Sequence, residues 1–407
     1  MRSPSDDATE ASRTNHSKAG LASRRTLWTA AAGVVFSPPQ RTGHARSFTG
    51  SDEPPPAAAV RQPPAFPTSL TETRARAEWA HFKARFIQAD GRITDNGNGG
   101  ISHSEGQGLA MLFAVHFDEP EIFTRTLRWT RAILGRTEDH LLAWCHRPDD
   151  PGRPGDRNNA TDGDLLTAWA LAEAANRWGH ALHRGLGLAM ARDIMGKTVI
   201  DGGNGPVLLP GAFGFCSTDS IVVNPSYYIY PAFKALSRLL PTPQWGALEG
   251  GGLRLARVAR FGRWGLVPDW VSLPRTGGQA AIAQDRPARF SYDAVRVPLY
   301  LAWAGKGEEP VVSAAARFWH DPSLPRIPAW ADLRTDETSP YAADPGIAAV
   351  AQVSAMGSQP GFMPRQINTP VLSATYYAAA LRLMAVLAVR AMPTTARADA
   401  ALTSIWH

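Results

Sequence analysis

The chain has 407 residues, 44% of them hydrophobic, enough for one large core or for two domains of ordinary size. Its formal charge of +6 hints at nucleic acid only until it is divided: residues 1–67 hold eight Lys/Arg and five Asp/Glu, which leaves the other 340 near +3 with no dense basic run. That distribution argues against a nucleic-acid partner, and two cysteines, Cys145 and Cys216, do not make a disulfide framework; a bond between them and two free thiols both stay open.

The N-terminus reads as an address. In "SRRTLW" (Ser23 to Trp28), Arg24 and Arg25 stand directly before a short apolar stretch, Leu27 to Phe36, and small residues follow at Gly43 and Ala45. A positive region, an apolar region of ~10 residues and a small-residue site define a secretory signal, here twin-arginine-like over residues 1–45, which predicts a periplasmic or secreted protein. A disordered basic tail is the plainer alternative. The stretch is too short to span a bilayer and no later apolar run is long enough, so no stable membrane anchor is expected. Proline density in "EPPPAAAV" and "RQPPAFP" makes residues 46–67 a semi-rigid linker. The folded domain is expected over 68–392, with a polar tail over 393–407.

Inside that domain the dominant hydrophobic period is 3.6 rather than 2. Helices are predicted in chain order over 70–88, 105–116, 119–134, 162–178, 183–199, 225–240, 247–261, 291–304, 309–320 and 370–391. Loops such as "DNGNGG", "RPDDPGRPGDRNN" and "DGGNGPVLLPG" separate them, and strand-like alternation is scarce. The fold class read from this pattern is all-α. In the predicted helix over 162–178, Leu165, Ala168, Trp169, Ala172 and Ala175 form one face, while Leu166, Ala170 and Leu171 make the other sides apolar too. Such a helix is buried nearly all round. Asp162 and Asp164 at its start must then meet solvent or a ligand, because a buried, unpaired carboxylate is too costly to keep ionised.

Three acidic sites recur where a loop feeds a helix: Glu105 in "ISHSEGQGLAM", Asp162 and Asp164 in "NNATDGD", and Asp293 in "RFSYDAVRVP". Each has a bland reading. Ser102 and Glu105 match a capping box; Asp162 is placed to be an N-cap with Asp164 favouring the helix dipole; Asp293 and Arg296 are spaced for a helical ion pair. A calcium loop starting at Asp162 lacks the later oxygen ligands, and an Asp-x-Asp nucleotide-sugar site lacks a strand-rich surround.

Taken together, the blocks "SEGQG", "ATDGD", "NPSYYIYPAF", "LVPDW" and "YDAVRVPLY", in that order across roughly residues 80–390, resemble glycoside hydrolase family 8. This is the bacterial endoglucanase group that includes the periplasmic cellulase accompanying cellulose synthase. The resemblance implies an (α/α)6 barrel and hydrolysis with inversion. It implies Glu105 as general acid, Asp293 as general base and Asp162 as the carboxylate that holds and distorts the sugar at the cleavage point, leaving Asp164 to a structural role as a cap. Inversion needs a protonated carboxyl on the leaving oxygen and an ionised one activating water on the opposite face, with the two groups ~6.5–9.5 Å apart. Burial or a neighbouring acid such as Asp162 is therefore expected around Glu105, and Arg296 is expected to keep Asp293 ionised. No metal or cofactor is required.

Thirteen tryptophans suit a glycan cleft, since sugar faces stack on exposed indoles. Trp144 in "LLAWCH" is the expected platform, whereas Trp169 and Trp178, in helical stripes, read as core. Tyr227 and Tyr228 are expected to line the cleft, with Asn224 and Ser226 fixing their turn and Tyr292 bonding the sugar or the attacking water. Two departures from the family pattern stand out: Leu109 and Ala110 replace a Tyr-Gly pair, which suggests a lost hydrogen bond to substrate, and Thr167 replaces a larger apolar residue. The resemblance implies a β-linked, cellulose-like polysaccharide as substrate for a monomeric enzyme near a cellulose synthase complex. The rivals are xylan, chitosan or mixed-linkage glucan as substrate, and a non-catalytic protein that guides a glycan chain.

Overall fold

The computed structural model describes residues 70–392 apart from 151, 277, 285, 360–361 and 363–371, so the signal, linker and tail expected at the two ends lie outside the described residues. Eleven α-helices occur among the described residues: α1 (Leu70–Phe86), α2 (Ser104–His116), α3 (Pro120–Ile133), α4 (Thr161–Trp178), α5 (Ala181–Thr198), α6 (Tyr230–Leu239), α7 (Gln244–Val258), α8 (Arg296–Trp303), α9 (Pro310–Trp319), α10 (Pro345–Ser358) and α11 (Tyr376–Ala391). Strands are two to four residues long and pair antiparallel between loops, the largest group joining Ser220–Val223, Val271–Pro274 and Ala281–Ile282.

Packing partners sort the helices into two layers, and burial follows most clearly in α2 to α4. In α2 every residue from Gly106 to Val115 is buried, and in α4 every residue from Thr161 to Ala172. By contrast α3 buries only the stripe Phe123, Thr126, Leu127, Trp129 and Thr130. The inner helices α2, α4, α6, α8, α10 and α11 are jacketed by α1, α3, α5, α7 and α9: α2 packs on α3 and α4, α4 on α5 and α6, α8 on α9, α10 and α11, and α1 closes against α11. This is the (α/α)6 barrel. The core between α1, α2 and α11 is aromatic, with Trp79 stacked on Phe117 at 5.7 Å and Phe82 edge-on to Phe113 at 5.7 Å.

Two motif glycines explain how α2 and α4 approach closely enough to share a site. A Cβ at Gly163 would lie 2.0 Å from Ser104 Oγ and 2.7 Å from the Glu105 amide nitrogen, and one at Gly108 would lie 2.7 Å from Leu166 Cβ. Thr167 is buried beside Gly108, so this departure from the family pattern is a packing change. Gly163→Ala is expected to pry the two helix starts apart, costing about 1–3 kcal/mol by overpacking. A lowered Tm together with reduced activity checks this; an unchanged Tm would show that the helices give way freely.

Three predicted spans start late in the structure, that from 370 becoming α11 only at Tyr376, and one helix falls in no predicted span. Helix α10 was not expected, because "PGIAAVAQVSAMGS" opens on Pro-Gly and carries no polar face. Pro345 instead occupies the first turn, where its missing N–H costs nothing, and Gly346 lets α10 sit against the Ala378 backbone, which a Cβ would approach to 2.7 Å. The span expected from 225 starts as a 3-10 turn, Pro225–Tyr227, and becomes α6 only at Tyr230, with Pro231 in its first turn. Residues 291–295 form a turn, and α8 starts at Arg296. Amides that would start an earlier helix are taken by a side chain from elsewhere, as described next.

Candidate active site

The candidate residues converge at the N-terminal ends of the inner helices. Helix α2 is preceded by a pairing of Ser102–His103 with Cys145–His146, which also brings in Trp144, whose carbonyl accepts from Ser104 N at 2.9 Å. The capping box expected here does not form: His103 is the N-cap, its Nδ1 accepting from Gly106 N at 3.1 Å, and this leaves Glu105 free to point into the cleft. His103 Nε2 stands 3.5 Å from Asp95. Burial opposes a charged imidazole there, but the Asp95 hydrogen bond and the charges of Glu105 and Asp95 outweigh it, so the pKa of His103 is raised. Gln107 serves structure, accepting from Ile93 N at 2.6 Å and donating to Thr130 Oγ1 at 2.8 Å.

The two aspartates of α4 separate by role. Asp164 is fully buried and does not cap its own helix, whose N-cap is Ala160; it accepts from Leu142 N at 2.9 Å and Asn159 Nδ2 at 2.7 Å, tying a neighbouring loop to the helix. Burial pushes its pKa to about 8 despite those bonds. Asp162 accepts from Gly163 N at 2.8 Å through Oδ1 and turns Oδ2 towards Arg296 at 3.9 Å. Burial pushes Asp162 up to about 7, repulsion from Glu105 adds to this, and Arg296 offsets part of it.

Arg296 is the hub. Its Nη1 lies 2.5 Å from Glu105 Oε1, and its Nη2 lies 2.8 Å from Asp293 Oδ1 and 3.2 Å from Ser226 Oγ. One guanidinium thus holds the proposed acid and base by its two ends, so both carboxylates face the same space without touching. Side-chain exposure rises from 7% at Asp162 through 21% at Glu105 to 33% at Asp293. The expected Asp293–Arg296 pair is present, but Arg296 does not dominate the balance. Burial raises the pKa of Asp293, Arg296 pulls it back and Glu105 pushes it up again, leaving it raised.

The predicted substrate contacts divide. Asn224 and Ser226 are buried, with Asn224 Oδ1 accepting from Ser226 N at 3.0 Å and from Ser226 Oγ at 2.7 Å. They fix their turn as expected, Ser226 also meeting Arg296 and Asn224 facing Asp293. Arg296 is likewise buried and occupied by acids. Tyr228 is a correction: it is 2% exposed, its ring is edge-on to Phe233, and its hydroxyl accepts from Leu208 N at 3.0 Å, so it belongs to the core. Tyr227 remains partly exposed, tilted against Trp270. Tyr292 is 43% exposed on the rim, and its hydroxyl sits 3.3 Å from Tyr341 Oη. Trp144 is partly exposed and held by Asp156, which accepts from Nε1 at 2.9 Å. Trp169 is core, packed 5.2 Å from Trp303. Leu109 and Ala110 are both fully buried.

Sequence reasoning passed over Asp95, His103, Asp269, Trp270, Tyr376 and Tyr377. Tyr376 lies edge-on to His103 at 5.3 Å, and Tyr377 donates to the Tyr292 carbonyl at 2.8 Å. The signal available was position: "LVPDW" was recognised as a block, yet neither of its polar residues was assigned. The cysteines are not bonded, Cys145 being buried and Cys216 exposed. Among the described residues no group of three His, Cys, Asp or Glu side chains is arranged to hold a metal ion, and no helix is long and apolar enough to cross a membrane.

Comparison with known proteins decides the family, because residues 64–391 match Glycosyl hydrolases family 8. The chain belongs to that family. A probable endoglucanase of Novacetimonas hansenii is 40% identical to this family 8 hydrolase over 315 residues, covering 76% of this chain and 90% of that protein. An endoglucanase of Cellulomonas uda is 36% identical, covering 69% and 77%. The solved endo-β-1,4-glucanase of Acetobacter xylinum superposes on the family 8 chain with a TM-score of 0.73 and 38% identity, covering 78% of this chain and 98% of that one.

Proposed function

We propose that this family 8 hydrolase is an inverting endo-β-1,4-glucanase acting on internal bonds of cellulose-like chains. The observation that carries the reading is the contact of Glu105 and Asp293 with opposite ends of one guanidinium at the mouth of the barrel. The endoglucanase names of relatives at 36–40% identity, and the endo-β-1,4-glucanase named for the solved structure at 38%, support the same bond type.

In this mechanism Arg296 engages Oε1 of Glu105, and the other carboxyl oxygen carries the proton to the glycosidic oxygen. Asp293, the most exposed of the three acids, takes a proton from water on the opposite face of the sugar. Asp162, partly protonated near neutral pH, grips the hydroxyls of the sugar at the cleavage point. Trp144, Trp270, Tyr227 and Tyr292 supply apolar ring faces along the groove. Export by the Arg24-Arg25 signal and work beside a cellulose synthase belong to the same proposal; the residue pattern supports the first and the family resemblance the second.

Two measurements test it. New reducing ends are expected from carboxymethyl-cellulose, with lower rates on xylan, chitosan and mixed-linkage glucan. Proton NMR of early products from cello-oligosaccharides should show the α-anomer first. A β-anomer first product would sink inversion, and chain binding without reducing ends would favour the glycan-guiding alternative.

A further inference from the structure

We propose that Asp269 is a positioning residue that sets the aim of the base by clamping the turn on which Asp293 is carried. The inference rests on the reading of Asp293 as general base. Asp269 is 7% exposed, and its carboxylate is committed to that turn: Oδ1 accepts from Ser291 N at 3.0 Å and from Ala294 N at 2.8 Å, while Oδ2 accepts from Ser291 Oγ. Its own amide donates to the Arg289 carbonyl at 2.7 Å, so the residues on either side of the base are laced to one short segment. The next residue, Trp270, faces Asp293 and is stacked on Phe215 at 6.1 Å. Pro268-Asp269-Trp270 therefore gives the base both its backbone frame and a wall.

This clamp also explains why residues 291–295 are a turn. The Ser291 and Ala294 amides, which would serve a longer α8, are spent on Asp269. An aspartate has only two side-chain torsions, so the direction of the Asp293 carboxylate follows the backbone beneath it. A base that must aim one water at one carbon loses rate steeply when displaced, by as much as ~100-fold for 1 Å.

The charged group facing Asp269 is Asp293, whereas Asp293 faces Arg296 and Glu105 in addition. Burial, and then Asp293, push Asp269 up to about 7 against the hydrogen bonds it accepts. The Asp293 charge thus delays ionisation of Asp269.

The test compares Asp269→Ala, Asp269→Asn and Ser291→Ala with Asp293→Asn and with the double variant Asp269→Ala/Asp293→Asn, on carboxymethyl-cellulose across pH. Asp269→Ala should lower kcat about 10–100-fold with KM within about twofold. Asp269→Asn, which can still accept the two amides, should lose less than Asp269→Ala, again in kcat with KM little changed. In the double variant the Asp269 change should add less than about twofold, because the base it aims is gone. Wild-type kcat in Asp269→Ala, full multiplication of losses in the double variant, or a loss in Asp269→Asn as large as in Asp269→Ala would each overturn the proposal. Should Asp269→Ala fail to fold, a several-fold kcat loss at unchanged KM in Ser291→Ala supports it and wild-type kcat there overturns it. Full activity in Asp293→Asn would instead strike the base assignment itself.

Discussion

Glu105→Gln is expected to abolish release of reducing ends, with a fall in kcat of about 10²–10⁴-fold and little change in chain binding. Glutamine keeps the shape of the side chain and the carbonyl oxygen that Arg296 Nη1 engages, but it has no proton to give to a leaving sugar oxygen. The result is most informative when the leaving group is varied. A substrate with an acidic phenol as leaving group needs no protonation, so Glu105→Gln should retain far more activity on an aryl cellobioside than on carboxymethyl-cellulose. Asp293→Asn should fail on both, since its role is to activate the water. Equal loss on the two substrates in Glu105→Gln, or equal retention in Asp293→Asn, would reverse or remove the assigned roles.

Arg296→Met is the second large effect and should reach both rate and stability. The guanidinium meets Glu105, Asp293 and Asp162 within 3.9 Å, and no other cation is paired with Asp293 or Asp162 among the described residues. Arg296 holds down the pKa values of Asp293 and Asp162, so its loss raises both further. The base is then ionised only at higher pH, and the acidic limb of kcat/KM moves upward. The same shift fixes the sign for stability. A carboxyl whose folded pKa is raised above its unfolded value contributes stability that is present at low pH and lost as pH rises through the folded pKa. Asp162 is already at about 7 with Arg296 in place and rises further without it, so the Tm deficit of the variant relative to wild type should grow as pH rises from about 7. Arg296→Lys should not restore the profile, because an ammonium cannot engage two carboxylates from opposite ends. Equal destabilisation at pH 5 and pH 8 would show that Arg296 acts by packing alone.

Much of this chain is legible from the local residue pattern, the five outer helices most of all. Seven of the eleven helices, α1 to α5, α7 and α9, were placed with ends displaced by a few residues, since a 3.6 period survives even where caps are unclear. The failures have particular causes. Helix α10 has small apolar residues on every side and a Pro-Gly start, which resembles punctuation until the neighbouring α11 backbone supplies the face it packs on. The start of α8 was misread because its competing hydrogen bonds come from Asp269, more than twenty residues away.

The sequence by itself determined the all-α class, the family and the three carboxylates, because motif order and local periodicity are one-dimensional properties. Only the tertiary structure decided that Arg296 joins those carboxylates, that Ser226 meets it, and that Tyr228 belongs to the core while Asp269 holds the turn before α8. Each of those assignments turns on which side of a turn a group faces and how much solvent it keeps. Such properties are set when six helix ends meet, by packing and desolvation between residues far apart in the chain.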